Sequence, residues 1–386
     1  MAETSIEWTD RVWNPVAGCT PVSAGCANCY AARMAVRLQA MEKPGYTPRV
    51  IDTAGRDVTG LPGLQDYTDR TVRIVEVRGG RPVFTGDVRT LSERLGEPLK
   101  WRKPCRVFVN SMSDLFHEAV PFDFIDRVFA VMALCRQHTF QVLTKRPKRM
   151  AEYLASGDLT RDETTLPSRW MKAAYEMAEN DRGGRSARPA YLGLHARYHR
   201  GRDGIWPLEN VWLGTSVENQ DAADERIPHL LKCPAAVWFL SCEPLLGRVD
   251  LWPEMFGLTG DTWCGPRIGW VIAGGESGPG ARGCEIDDLR SLRDQCKAAG
   301  VPFFLKQLGA RPFGDDGYFQ LVRCHHCGTF GDVNAFDVAG ADDGNVFCNQ
   351  CNREIPCEWN LKDKKGGDPA EWPEDLRVRE MPEVRR

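Results

Sequence analysis

The chain has 386 residues and a mass of 43.3 kDa, and its composition (42% hydrophobic, 27% charged, 9% aromatic) excludes wholesale disorder, a collagen-like repeat and a coiled-coil rod. That length allows two or three domains, or one barrel of roughly 250 residues with an appendage. With a formal net charge of −3 and a pI of about 6.2 there is no global bias toward a polyanion, so any nucleic-acid surface has to be a local basic patch.

The opening residues, MAETSIEWTD, carry neither a basic nor an apolar leader segment. The apolar run from Val128 to Cys135 is far below the roughly 18 residues that span a bilayer. The sequence therefore reads as soluble, cytoplasmic and without a membrane partner. Such a compartment keeps thiols reduced, so fifteen cysteines, several of them clustered, point to metal rather than to disulfides.

The first cluster is Cys19-x6-Cys26-x2-Cys29, placed between a β-prone stretch (residues 5–17) and a helix predicted over YAARMAVRLQAM. Three thiolates are one short of the set that closes a zinc site or a fully protein-ligated iron–sulfur cluster. In a [4Fe–4S] cluster the missing ligand leaves one iron for the amino and carboxylate groups of S-adenosylmethionine, and Gly18, Ala24, Gly25 and Ala27 leave room for close approach. A structural zinc completed by a distant histidine or cysteine is the alternative.

Short apolar runs then recur as RVFVN (106–110), TFQVLT (139–144), VWLGT (211–215), VWFLS (237–241), GWVIA (269–273) and PFFLK (302–306), and a helix is predicted from about Phe122 to Cys135. Continuously apolar strands alternating with helices predict a parallel sheet, read here as an α/β fold with a TIM-like barrel, partial or full, whose site lies at the carboxyl ends of the strands. The polar residues at those ends are Ser111, Ser113 and Asp114, then Lys145, then Ser216 with Glu218, then Glu243, then Glu276 after Gly274 and Gly275. Cys105, Cys242 and Cys284 read as buried small hydrophobes.

Residues 151–210 exceed one helical crossover and are expected to be an irregular insertion in a barrel covering 1–315. The insertion carries Arg182, Arg185, Arg188, Arg197, Arg200 and Arg202 with no acidic residue from Arg182 to Arg202, and Tyr191 and Tyr198 are interleaved. Cations for phosphates and rings for bases suit a nucleic-acid loop; a solvated insertion without a ligand has the same composition. Lys100, Arg102, Lys103 and Arg106, and Lys145, Arg146, Lys148 and Arg149, are expected to extend one positive face.

Gly278-x-Gly280-x-x-Gly283 fits a dinucleotide fingerprint, but the next strand ends in Phe304-Leu305-Lys306 and offers no acidic residue to a ribose, so a flexible loop is expected. A helix follows, with Asp287 and Asp288 as its expected cap, Leu289, Leu292 and Cys296 on its core face, and Gly300 as its stop. Cys324-x2-Cys327 and Cys348-x2-Cys351, twenty residues apart, predict a zinc-ribbon insertion over 316–357, with an auxiliary iron–sulfur cluster as the rival. Residues 358–386 are charged and Pro-rich and are expected to pack on the barrel as irregular structure.

The blocks IEWTDRVWNPVAGCTPVSAGCANCYAARMA, VFVNSMSDLFHEAVP, TFQVLTKRPKRM, VWLGTSVENQDAADERI, FLSCEPLLG, VIAGGESGPGARGCEIDDLRSLRDQC and VPFFLKQLG resemble a phage- and prophage-encoded three-cysteine-motif family classed as radical-SAM-like. The resemblance implies a partial or full (β/α) barrel of the radical-SAM type with a [4Fe–4S] cluster at Cys19, Cys26 and Cys29. The sequence departs from the commonest spacing, since six residues separate the first pair, and Asn28 stands before the last cysteine with Tyr30 after it. Gly274-Gly275-Glu276 resembles the motif that holds the methionine amino group in such barrels, where it follows the second strand; Ser111, Ser113 and Asp114 occupy that position here. The implied activity is generation of a 5′-deoxyadenosyl radical from S-adenosylmethionine, with a flavodoxin or ferredoxin as electron donor. The expected substrate is a hypermodified thymine in phage DNA, to be modified or rearranged. Lesion repair or cleavage by the same radical, and a non-catalytic metal-bound nucleic-acid-binding module, are the other readings.

Overall fold

The computed structural model describes residues 4–43, 45–51, 70–156, 166–180, 187–200, 207–251, 253–256, 267–314, 322–323, 330–331, 346–347, 354–355, 361 and 363–383. Seven strands form one sheet: β1 (Arg11–Trp13), β2 (Arg106–Val109), β3 (Thr139–Thr144), β4 (Val211–Ser216), β5 (Val237–Cys242), β6 (Ile268–Gly274) and β7 (Phe303–Gln307). They lie side by side in chain order. The pairings β1–β2, β2–β3, β3–β4 and β6–β7 are parallel. Parallel neighbours need crossovers, and the helices are α1 (Tyr30–Ala40), α2 (Phe122–Leu134), α3 (Pro147–Ala155), α4 (Leu166–Asn180), α5 (Ala187–Arg200), α6 (Gln220–Leu230) and α7 (Ile286–Ala299). The six expected strands coincide with β2 to β7 to within a residue at each end. The strand order has two ends, β1 and β7, so the sheet is open and matches the partial rather than the full form of the expected barrel.

The chain divides into two compact units, Met1–Ser216 with Glu225–Phe239, and Val217–Asp224 with Leu240–Arg386. In the first, α1 is short-sided: Ala31, Ala32 and Ala35 are buried, which lets the helix settle on Tyr46, Ile74, Val75 and Phe84. α2 is buried over most of its length. Residues 151–210, expected to be irregular, instead contribute the end of α3 and all of α4 and α5. The helical signal was present in Leu166, Trp170, Ala173, Ala174 and Ala178, which recur at core spacing and are all buried. Trp170 stacks on Phe129 with ring centroids 5.0 Å apart and donates from Nε1 to the Tyr153 hydroxyl at 2.8 Å. That hydroxyl donates to Asp126 at 2.8 Å, and Arg169 donates to the same carboxylate. The network fastens α4 to α2 and α3.

In the second unit Trp270 and Ile272 of β6, Leu289, Leu292 and Cys296 of α7, and Phe303 and Leu305 of β7 are buried together as its core residues. Glu285, not Asp287 or Asp288, is the N-cap of α7; the two aspartates lie in its first turn, where a negative charge meets the free N–H groups. Gly300 ends the helix with φ +64, a left-handed cap that favours glycine. The tail covers the free edge of β7: Leu305 N–H donates to Val378 O and Glu380 N–H to Phe303 O, both at 2.9 Å. Arg379 lies over the rings of Phe304 and Trp372. An edge strand covered in this way offers no template to another chain.

Within 316–357 the described residues are two antiparallel pairs, Val322–Arg323 with Phe330–Gly331 and Val346–Phe347 with Glu354–Ile355. Cys324 and Cys327 fall between the strands of the first pair, Cys348 and Cys351 between those of the second, and all four lie outside the described residues.

Candidate functional site

In the first unit the residues that follow β1, β2 and β3 meet around the cysteine loop. Gly18 adopts φ +91, and a Cβ there would stand 2.1 Å from Asp87 O, so only glycine fits immediately before Cys19. Gly18 bridges to Ser113, whose Oγ donates to Val16 O at 2.8 Å. Asn14 Oδ1 accepts from Ser111 Oγ and Met112 N–H, both at 3.2 Å. Tyr30, about half exposed, donates from its hydroxyl to Ser111 O at 2.7 Å. The loop and the end of β2 are thus joined at several points, and the side chains expected to contact a cofactor, Ser111 and Ser113, already serve those joins.

Cys19, Cys26 and Cys29 are free thiols, each partly exposed. Burial pushes the Cys19 thiol up to about 12, with Asp114 adding to the rise and Arg146 opposing it. Burial also raises Cys29, opposed by the N–H groups of Ala32 and Ala31 at the start of α1 and by Lys145. Cys29 is the N-cap of α1, although its sulfur makes no capping hydrogen bond of normal geometry. Cys26 acts electrostatically on both of the others. Among the described residues no three His, Cys, Asp or Glu side chains converge where a single metal ion would sit.

Asp114 is buried and saturated. It accepts from Phe116 N–H (2.9 Å), Thr144 Oγ1 (2.7 Å), Lys145 N–H (3.0 Å) and Arg146 Nη1 (3.2 Å). Arg146 was expected on an open positive face; it is buried instead, because two carboxylates, a carbonyl and a sulfur surround its guanidinium. Arg149 likewise turns inward, donating to Val120 O and lying over the Phe122 ring, which leaves Lys148 as the exposed member of that group. His117 accepts Ala119 N–H at Nδ1 (3.1 Å), so the proton lies on Nε2, which donates to Thr20 Oγ1 at 2.8 Å. Burial lowers its pKa, and Arg146 adds to the effect. His117, Glu118 and Thr20 belong to the site and are not among the residues expected from the sequence, which gives Arg146 only as a strand-end cation of a positive face. Their position directly after strand-end motifs was the available signal.

Ser216 ends β4 and is buried, its carbonyl accepting from Arg226 Nη1 at 2.9 Å. In the second unit Glu218 is buried, and Glu218 and Glu243 both act electrostatically on the buried Cys242 thiol, which burial itself raises most. Glu243 Oε1 forms an ion pair with Lys306 Nζ at 3.1 Å. Glu276 is buried and gripped by Arg282, whose Nη2 and Nε donate at 2.7 and 3.0 Å. The glycines before it serve a close crossing of backbone, since a Cβ on Gly275 would meet Leu308 O. Cys284 is buried and Cys105 half-buried, as small hydrophobes, with Cys105 Sγ 3.3 Å from His138 Nδ1.

Of the basic segment, Arg188 is exposed on α5. Arg197 and Arg200 belong to α5, their side chains outside the described set, and Arg182, Arg185 and Arg202 lie outside the described residues. Among the described residues no helix is long and apolar enough to cross a membrane.

A family model described as "Protein of unknown function (DUF5131)" matches residues 3–346. No curated protein and no solved structure matches the chain.

Proposed function

The chain belongs to the DUF5131 family, and we propose that it is a radical S-adenosylmethionine enzyme whose [4Fe–4S] cluster is held by Cys19, Cys26 and Cys29. The observation that carries this reading is the placing of three free thiols on one loop beside the ends of β1, β2 and β3, with a buried cation against the first of them. Three thiolates are one short of the set that closes a zinc site; in a four-iron cluster each is carried by a different iron. The missing fourth ligand leaves the open position that S-adenosylmethionine needs.

When bound, such a cluster supplies the electron that cleaves the sulfonium and yields a 5′-deoxyadenosyl radical able to abstract hydrogen from an unactivated C–H bond. The protein's part is to present thiolates and to offset their charge. Metal binding requires those thiols to lose their protons, and the groups available to favour that are Arg146, Lys145 and the first N–H groups of α1. Small residues around Cys26 leave the approach open, and the half-exposed Tyr30 ring, fixed by its bond to Ser111 O, stands beside it.

The substrate we favour is a nucleobase in phage DNA, a hypermodified thymine that is modified or rearranged, with Lys145 of the first unit as the strand-end contact for S-adenosylmethionine. A flavodoxin or ferredoxin would donate the electron in a cytoplasmic setting. The second cysteine cluster is read as a zinc ribbon: each Cys-x2-Cys pair falls within an antiparallel strand pair, the arrangement of a zinc knuckle. Anaerobic incubation with S-adenosylmethionine and dithionite tests the reading. Release of 5′-deoxyadenosine is expected; a metal-bound, non-catalytic nucleic-acid-binding module would release none.

A further inference from the structure

Arg146 ends the polar turn after β3 and sits immediately before Pro147, the first residue of α3, so its backbone is fixed from both sides. Its N–H donates to Thr144 Oγ1 at 2.9 Å. The guanidinium is 7% exposed and every edge of its fork is engaged. Nε donates to both oxygens of Glu118 at 3.0 Å, Nη1 to Asp114 Oδ2 at 3.2 Å, and Nη2 to Thr20 O at 3.2 Å, while Nη1 also lies 3.9 Å from Cys19 Sγ.

Two of these contacts, the sulfur of Cys19 and the carbonyl of Thr20, belong to the cysteine loop. The other two are carboxylates of the segment after β2. One carboxylate, Asp114, is itself held by Phe116 N–H, Thr144 Oγ1 and Lys145 N–H. The guanidinium is therefore located by the rigid ends of β2 and β3 and in turn locates Cys19. A planar fork can meet these directions at once, whereas a lysine ammonium offers a point charge on a flexible stem.

We propose that Arg146 is the positioning residue for Cys19, holding its sulfur in place and setting a positive charge against the metal centre that sulfur carries. This rests on the cluster reading given above. A fixed cation beside a one-electron centre favours the reduced, more negative form, so its removal makes the centre harder to reduce. Glu118 acts in the opposite sense through the same guanidinium, and more weakly, because its side chain is 66% exposed and screened by water.

The test is anaerobic reconstitution of the full chain as wild type, Arg146→Gln, Arg146→Lys and Glu118→Gln. Iron and sulfide per chain are measured, together with the midpoint potential from a redox titration followed by electron paramagnetic resonance. Arg146→Gln is expected to lose part of its iron and to shift the remaining centre to more negative potential. Arg146→Lys keeps the charge without the fork, so its potential should return toward that of the wild type while its iron content stays low. Glu118→Gln removes an exposed carboxylate with little risk to folding and should move the potential the other way. A role confined to folding would not produce shifts of opposite sign. Wild-type potential in both Arg146→Gln and Glu118→Gln overturns the assignment of Arg146 while leaving the cluster in place. A wild-type protein without iron and sulfide overturns the cluster reading, and the assignment with it.

Discussion

A Cβ atom on Gly275 would stand 2.1 Å from the carbonyl oxygen of Leu308. The turn after β6 and the turn after β7 cross with backbone against backbone, and at Gly309, with φ +93, an added Cβ would stand 2.8 Å from Gly275 Cα. The glycines before Glu276 thus have a packing duty whatever else the turn binds.

Gly275→Ala should lower stability by about 1–3 kcal/mol, because the carbonyl it strikes belongs to the main chain and must shift. Gly247→Ala, where an added Cβ meets nothing within 4 Å, is the control. Thermal unfolding of the two variants beside the wild type measures the difference; equal melting temperatures would mean the crossing relaxes freely.

The carboxylate of Asp126 supports both Tyr153 and Arg169, so Asp126→Ala leaves a buried hydroxyl and a part-buried guanidinium without their acceptor. A cost of about 3–5 kcal/mol is expected. Tyr153→Phe removes only the hydroxyl and strands the Trp170 N–H, at about 1–2 kcal/mol. Since the residues share one network, the double variant should lose less than the sum. Additive losses in denaturant titrations would mean that the two side chains act independently and would contradict a shared network.

Asp288 lies in the first turn of α7, where burial, reinforced by Glu285, raises its carboxyl from the ordinary 3.8 to about 6. The folded chain holds this proton more tightly than the unfolded chain. The associated stability is complete below about pH 3.8 and is lost as the pH rises through 6. Asp288→Asn should therefore stabilise the protein at pH 7 and lose that advantage by pH 4. Melting temperatures across this range give the answer, and a pH-independent difference would contradict the shift.

If the arginines of the basic segment contact phosphates, changing Arg182, Arg185, Arg188, Arg197, Arg200 and Arg202 to Gln should weaken DNA binding. The slope of log affinity against log salt should shrink by about 0.7 to 0.9 per lost contact. Binding titrations at several salt concentrations read both quantities. Unchanged affinity and slope would make the segment a solvated helix without a nucleic-acid role.

The parallel strands could be read from the sequence because strands covered on both faces are mostly apolar, as Val211, Trp212 and Leu213 are in β4, all six of whose residues are buried. α7 was equally legible from Leu289, Leu292, Cys296 and Gly300, whereas its cap was not: Asp287 and Asp288 look like capping residues but lie two and three residues past the cap, Glu285, inside the first turn. α4 is harder to read because, beyond Leu166 and Trp170, its buried positions Ala173, Ala174 and Ala178 are small and only weakly apolar. The three thiols of the candidate site were visible as a spacing. Arg146 was not, since a cation in a run of Lys145, Arg146, Lys148 and Arg149 reads as solvated until the tertiary structure brings Asp114 and Cys19 to it.

The central claim concerns Cys19, Cys26 and Cys29, and the most direct measurement is iron and sulfide content in anaerobically purified wild type and in the Cys19→Ala, Cys26→Ala, Cys29→Ala triple variant. The wild type should show an oxygen-sensitive brown chromophore with about four iron and four sulfide per chain. The triple variant should have neither, while zinc bound through Cys324, Cys327, Cys348 and Cys351 persists in both. A triple variant that keeps its full iron and sulfide would contradict the account.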